Sequence, residues 1–216
     1  MTHDALSTRA FRWMLALLLL PCGLATAAAQ DRTTPPKASE PPTVRVLITY
    51  YSRTGNTEQL ARGVARGVGR VPHAVATVQR VEEVTKESLQ SADAIALGCP
   101  TYFGNIPGKM KIVIDDWNWK WKVNFTDKVG GAFTTGAGQV GGKEFTVISL
   151  LMFMINNRMV VAGPLYQDAE GEDIWAEAGA AAMTGPLDPG ISAAELDAAA
   201  RLGERLAKLA AKMRSE

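Results

Sequence analysis

Six consecutive residues combine hydroxyl groups, an amide and a glycine, a combination typical of anion-binding turns. They are Ser52-Arg53-Thr54-Gly55-Asn56-Thr57. Backbone N–H groups at the start of a helix bind anions, hydroxyls add donors, and Gly55 permits the positive φ that such a turn needs. The loop contains no lysine, so it is not a Walker P-loop. We predict that it binds a phosphate group; the alternative is a plain turn with a helix N-cap at Asn56 or Thr57.

A second loop carries two adjacent aromatic residues. Its sequence is Pro100-Thr101-Tyr102-Phe103-Gly104-Asn105. The aromatic rings can stack on a flat ligand ring, while Gly104 and Asn105 can present backbone donors to a heterocycle. Packing of the two aromatic side chains into the core is the alternative.

A third loop is rich in glycine, which lets the backbone approach a ligand closely. It reads Thr134-Thr135-Gly136-Ala137-Gly138-Gln139-Val140-Gly141-Gly142. Three of these glycines also match G-x-G-x-x-G, the fingerprint of dinucleotide binding. That motif follows the first strand of its fold, whereas this loop follows the fourth predicted strand, so we interpret the match as coincidental. A flexible turn remains the alternative.

The elements around these loops alternate regularly between strand and helix. This alternation predicts an α/β fold, a doubly wound five-stranded parallel sheet with helices on both faces. Ligands of such sheets bind beyond the carboxyl ends of the strands, where the three loops are expected to meet. The predicted strands are residues 44–50, 74–81, 94–99, 128–135 and 159–162, and the predicted helices are 57–68, 85–91, 107 onward, 142–156 and 192–214, with a loop over 163–191.

The N-terminal part has a different character from the rest of the chain. Arg9 and Arg12 precede an apolar run over residues 13–20, and Ala27-Ala28-Ala29 offers a cleavage site, a pattern that predicts a secretory signal peptide over 1–29. Residues 30–42 contain four prolines and are predicted to form an extended tether. The folded domain is then 43–216, and we expect it to be exported, to the periplasm. An uncleaved membrane anchor, or lipidation at Cys22, is the alternative.

Charge and residue usage exclude several classes of function. Removal of residues 1–29 takes away two basic and one acidic residue from totals of 23 and 22, so the mature chain is formally neutral. Nucleic acid binding requires a basic face and is therefore not expected. Cys99 and His73 are isolated from other metal-ligating residues in the sequence, so no metal site is predicted. A buried, unreactive thiol is predicted for Cys99.

Taken in order, the loop motifs resemble those of the flavodoxin superfamily, and most closely the WrbA-type NAD(P)H:quinone oxidoreductases. The likeness spans about residues 44–214 and rests on [ST]-x-T-G-N-T, on Pro100 to Lys111, and on the third loop followed by Gly141-Gly142-Lys143-Glu144. It implies FMN as cofactor, with its phosphate on residues 52–57. Residues 100–104 and 134–139 would flank the flavin ring and the ribityl chain, and Trp121 would lie near the quinone or nicotinamide.

The sequence departs from that family at one functional position. Asn156 and Asn157 stand where the family has a pair of histidines, one of which faces the flavin. We expect Asn157 to face the flavin, where an amide can form hydrogen bonds but cannot donate a proton by titration. No catalytic acid or base is therefore assigned. An insert that contributes to subunit contacts in the family is also short here, so a homo-oligomer is left open.

Three tryptophans, Trp117, Trp119 and Trp121, occur at i, i+2 spacing. In an extended segment this spacing would place them on one side. Contact with another subunit is the favoured interpretation, and a substrate slot or a peripheral membrane contact are alternatives.

We expect the chain to be an enzyme that carries two electrons from NAD(P)H through FMN to a quinone. One alternative is a flavodoxin-like one-electron carrier that meets a redox protein. The other is an FMN-binding module without turnover.

Overall fold

The computed structural model describes residues 43–165, 177–185 and 187–214. The predicted signal peptide and tether, and part of the predicted loop over 163–191, lie outside these residues. The described helices and strands are β1 (Val44–Tyr50), α1 (Asn56–Val68), β2 (Ala74–Arg80), α2 (Lys86–Ser91), β3 (Ala94–Pro100), α3 (Gly108–Trp119), β4 (Val129–Gly136), α4 (Lys143–Asn156), β5 (Val160–Val161), β6 (Ala180–Met183) and α5 (Ala193–Arg214).

All strand pairs of the described sheet are parallel, and the order is β2-β1-β3-β4-β5, with β6 also paired to β4. The first positions of β4 pair with β5, and its last four pair with β6, from Phe133 opposite Ala180 to Gly136 opposite Met183. The fifth position of the sheet is thus shared by two segments. The predicted flavodoxin-like five-stranded architecture is confirmed, and the predicted loop over 163–191 is wrong where β6 forms.

Helices cover both faces of the sheet, as predicted. On one face α2, α3 and α4 pack through buried side chains such as Leu89, Ile114 and Leu150. On the other face α1 and α5 pack through Leu60, Leu202 and others. Within the described ranges, no helix combines the length and apolar character needed to cross a membrane.

The prediction that Trp117, Trp119 and Trp121 lie on one side of an extended segment is wrong, because residues 108–119 are helical. Two residues apart on a helix corresponds to about 200° of rotation, so neighbours at i and i+2 diverge. Trp117 is therefore fully buried against Phe125 and Phe153, whereas Trp119 is 74% exposed. Trp121 follows the helix, and its N–H donates to the carbonyl oxygen of Asp116. These three side chains do not form a common surface.

Candidate cofactor-binding cleft

The first loop leaves β1 and enters α1 at the carboxyl edge of the sheet. Gly55 is the N-cap residue of α1 with a φ of 94°, and no side chain caps the helix. A β-carbon at this position would meet nothing within 4 Å. The alternative of a side-chain N-cap at Asn56 or Thr57 is therefore wrong. The N–H of Gly55 donates to the Ser52 hydroxyl oxygen at 3.1 Å, which folds the loop into a turn.

Threonine hydroxyls join the three loops beneath the cleft. The Oγ1 atoms of Thr57 and Thr135 lie 2.9 Å apart, and those of Thr101 and Thr134 lie 3.0 Å apart. Thr134 donates to the carbonyl oxygen of Cys99 at 2.7 Å. Because a hydroxyl has one hydrogen, Thr101 is then the donor in its pair with Thr134. Hydrogen bonds of this kind fix the ends of β3 and β4 relative to the start of α1.

The second loop projects an aromatic residue at its tip. Tyr102 and Asn105 exchange backbone hydrogen bonds of 2.9 and 3.1 Å, which closes a tight turn. Phe103 and Gly104 between them have positive φ values of 51° and 82°. Phe103 is fully exposed, so core packing is wrong for this residue, whereas Tyr102 is half-buried and contacts Tyr51 edge to face.

The third loop is held from beneath by a buried cation. The Lys143 side chain is 2% exposed, and its ammonium group donates to the carbonyl oxygens of Gly138 at 2.5 Å and Gln139 at 3.1 Å. Burial lowers the pKa of Lys143. The second and third loops also touch, since a β-carbon at Gly142 would lie 2.6 Å from the Gly104 Cα atom. Glycine is thus required at position 142.

Residues of all three loops line one cleft. Its lining residues are Arg53, Thr54, Asn56, Thr57, Pro100, Thr101, Tyr102, Thr135, Gly136, Ala137 and Thr184. The structure thus places half of the residues that the sequence singled out in the lining of one cleft. The remaining residues of the same loops flank or support this lining, namely Ser52, Gly55, Phe103, Gly104, Asn105, Thr134, Gly138 and Gln139.

Asn157 and Trp121 do not lie at the cleft of their own chain. Asn157 follows α4 and donates through Nδ2 to the carbonyl oxygen of Phe153 at 2.7 Å. The next residues pair with the start of β4, where the N–H of Val160 donates to the carbonyl oxygen of Lys128. This is the amino edge of the sheet, opposite the cleft. Asn157 was expected to face the flavin and Trp121 to lie near the substrate. Within one chain both expectations are wrong, because each residue follows a helix that leads away from the carboxyl edge of the sheet.

Three residues near the cleft escaped the sequence analysis. Asp188 accepts a hydrogen bond of 2.7 Å from Nδ2 of Asn56, across 132 residues of sequence. Thr184 follows β6 and donates through its N–H to the carbonyl oxygen of Gly136. Arg80 donates to the carbonyl oxygen of Ser52 at 2.8 Å. None of these residues belongs to a local motif, so the sequence held no signal for them.

The donors and surfaces of the cleft fit FMN. At one end, the first turn of α1 and the hydroxyls of Thr54 and Thr57 supply the donors that a phosphate dianion requires. Towards the other end, Pro100, Tyr102 and Ala137 offer flat or small surfaces for a ring. The uncapped turn at Gly55 leaves room for an ester oxygen to approach the backbone.

A doubly wound parallel sheet with this cleft at its carboxyl edge defines a flavodoxin-like protein. Residues 43–172 match the sequence profile of the NADPH-dependent FMN reductase family. The chain therefore belongs to that family, and its cofactor is FMN. The resemblance to the flavodoxin superfamily and its WrbA-type branch is confirmed.

Relatives and solved structures agree with this assignment. A protein named NAD(P)H dehydrogenase (quinone) from Geobacter sulfurreducens is 35% identical over 148 residues, 57% of this chain and 73% of the relative. A protein of the same name from Solidesulfovibrio magneticus is 34% identical over 151 residues, 58% of this chain and 74% of the relative. The fold is similar to that of a WrbA-like flavodoxin from Agrobacterium tumefaciens, with a TM-score of 0.63 at 24% identity, covering 79% of this chain and 99% of the other.

Proposed function

We propose that the chain is an FMN-dependent oxidoreductase that oxidises NAD(P)H and reduces a quinone. The observation that carries this proposal is the cleft in which three loops meet around a threonine-lined floor. The names of relatives at 34–35% identity support the quinone as acceptor, and the family description supports NADPH as donor.

The proposed cofactor contacts follow from the positions of the loops. In this proposal residues 52–57 bind the phosphate through the hydroxyls of Ser52, Thr54 and Thr57 and through the N–H groups of Asn56 and Thr57 at the start of α1. Residues 100–105 and 134–139 enclose the ring and the ribityl chain. When bound, FMN supplies the hydride chemistry, and the protein supplies binding and orientation.

Tyr102 is the titratable aromatic residue among those that line the cleft. Burial is the main cause that raises the pKa of its phenol. The phenol therefore stays protonated at neutral pH and remains a hydrogen-bond donor. We propose that it orients an oxygen atom of the substrate or of the flavin, while protons reach the open cleft from water.

The proposed place of action is outside the cytoplasm. Support comes from the positive charges of Arg9 and Arg12, the apolar run over residues 13–20 and the small residues before Gln30. The mass of the chain purified from a cell envelope fraction tests this proposal. A mass that retains residues 1–29 contradicts removal of a signal peptide.

Anaerobic reduction followed by rapid mixing tests the proposed reaction. The purified chain should be yellow, lose its flavin absorbance with one equivalent of NADPH per FMN, and recover it with one equivalent of a benzoquinone. A yellow chain that dithionite bleaches but NADPH does not would indicate an electron carrier. A colourless chain that takes up no FMN would contradict both the cofactor and the reaction.

A further inference from the structure

Lys143 combines burial with an unfavourable place in its helix. It is the first residue of α4, and it is 2% exposed. A positive charge is disfavoured there, because the amino end of a helix carries the positive end of the dipole and because burial removes the ammonium group from water. Burial lowers the pKa of Lys143, whereas the carboxylates of Glu144 and Glu195 act in the opposite direction and favour the charged form. A residue that costs stability in two ways is expected at a functional site.

The side chain of Lys143 packs against a wall of the cleft. A β-carbon on Gly136, which lines the cleft, would lie 3.1 Å from Cγ and 3.4 Å from Cδ of Lys143. The same point is 3.5 Å from the β-carbon of Thr101, another residue of the lining. The ammonium group ends at the carbonyl oxygens of Gly138 and Gln139. The charge of Lys143 therefore lies within the third loop, next to the space in which the flavin is expected.

The cleft itself offers little to balance a negative charge. Of the described residues that line it, Arg53 and Tyr102 are the ones whose side chains carry a charge or titrate. Arg53 is exposed, so water weakens its field, and burial raises the pKa of the Tyr102 phenol. When a hydride leaves NADPH, a C–H bond of the nicotinamide breaks and an N–H bond of the flavin forms. Two electrons and one proton move together, so NADPH becomes NADP⁺ and the flavin gains one negative charge.

We propose that the ammonium group of Lys143 stabilises the negative charge that bound FMN gains on reduction, and thereby raises the reduction potential of the flavin. This inference rests on the proposed function in one respect, namely that the flavin accepts a hydride. A buried charge acts through a medium of low dielectric constant and is weakly screened by salt, so its effect exceeds that of an exposed charge. Its two carbonyl acceptors fix the ammonium group before the reaction, so no reorganisation is needed when the negative charge forms.

A second role of Lys143, in holding the shape of the third loop, is separable from the role of its charge. A change in loop shape weakens the binding of oxidised and reduced FMN alike, so the potential of the bound flavin stays the same. A loss of charge weakens the binding of the reduced flavin more than that of the oxidised flavin, so the potential falls. The phosphate carries its charge in both redox states, and its attraction to Lys143 therefore cancels in this comparison.

Anaerobic titration of the FMN-loaded chain against a reference dye, with dithionite as the reductant, measures the potential. Lys143→Gln removes the charge but keeps an N–H donor for the loop carbonyls, and Lys143→Met removes both. In each variant the reduction equilibrium should shift about tenfold towards oxidised FMN, which corresponds to about 30 mV for a two-electron couple. The control is Lys109→Gln, which removes an exposed positive charge at the start of α3 and should leave the equilibrium unchanged.

Circular dichroism and the flavin spectrum establish that each variant is folded and loaded, and Lys143→Gln carries the test if Lys143→Met does not fold. A potential of Lys143→Gln equal to that of the wild type overturns the proposal. An equal shift in Lys109→Gln, or loss of FMN from both variants at position 143, overturns it as well. Because dithionite replaces NADPH, these potentials decide the role of Lys143 even if NADPH fails to reduce the flavin, a result that would contradict the proposed function alone.

Discussion

The hydroxyl oxygens of Thr57 and Thr135 lie 2.9 Å apart, although 78 positions separate the two residues in the chain. Thr57 is in the first turn of α1, and Thr135 is near the end of β4. Both side chains are buried. The bond joins the loop that follows β1 to the loop that follows β4, so a change at either residue should affect both walls of the cleft.

Thr57→Val keeps the volume of the side chain but removes the hydroxyl. We expect the affinity for FMN to fall by about 1–3 kcal/mol, since hydrogen bonds to a charged phosphate contribute on this scale. Thr54→Ala should have an effect of the same order. Quenching of flavin fluorescence measures the dissociation constant. Thr77→Val, at an exposed position on β2, is the matched control, and an unchanged affinity of Thr57→Val would contradict the phosphate assignment.

Asp188→Asn should strengthen FMN binding. The carboxylate accepts from Nδ2 of Asn56 inside the loop assigned to the phosphate, where its negative charge repels a dianion. Removal of that charge should make the free energy of FMN binding more favourable by about 1 kcal/mol, a typical magnitude for partly exposed charges. The gain should shrink with added salt because the repulsion is screened.

The control for that experiment is Asp127→Asn, which removes a charge at the opposite edge of the sheet. If Asp188→Asn instead weakens binding, the orientation of Asn56 by the carboxylate outweighs the repulsion.

Local patterns explain which parts of this architecture are predictable. The strands β1, β3 and β4 are mostly apolar segments that are followed closely by glycine and threonine, and these features locate the loops. By contrast, β6 contains three alanines, which have no preference for strands. Those alanines form a strand because Ala181 faces one core and Ala180 and Ala182 face the other. Such an environment exists only in the folded chain.

The errors at the candidate site have a similar origin. Asn157 was assigned from a resemblance, but its distance from the cleft depends on the direction of α4. The contact of Asp188 with Asn56 joins residues 132 positions apart and follows from the path of the chain after β6. Neither the direction of α4 nor the contact of Asp188 with Asn56 can be inferred from a local sequence pattern.

Lys143→Met tests the buried cation beneath the third loop. Burial lowers the pKa of Lys143 below the value of about 10.4 that an unfolded chain shows. At a pH between the pKa of Lys143 in the folded chain and its pKa in the unfolded chain, this side chain is more fully protonated in the unfolded chain. The contribution of Lys143 to stability therefore rises with pH. The difference in free energy of unfolding between wild type and Lys143→Met should therefore shift in favour of the wild type as the pH rises towards 10.4.

Chemical denaturation at a series of alkaline pH values measures this difference. Lys111→Met, at an exposed lysine on α3, serves as the control for the loss of a lysine that is not buried. A difference between wild type and Lys143→Met that stays constant with pH would contradict desolvation of the ammonium group.

The thiol content of the purified chain should report both the burial of Cys99 and the state of the N-terminus. The sequence has two cysteines, Cys22 and Cys99. Cys99 is fully buried, and burial raises the pKa of its thiol, so a disulfide reagent at pH 8 should not react with the folded chain. After denaturation we expect one reactive thiol if residues 1–29 are removed, and two if they are retained unmodified. Ser91→Cys, at an exposed position, should add one fast-reacting thiol to the folded chain, whereas rapid labelling of the processed wild type would show that Cys99 is accessible.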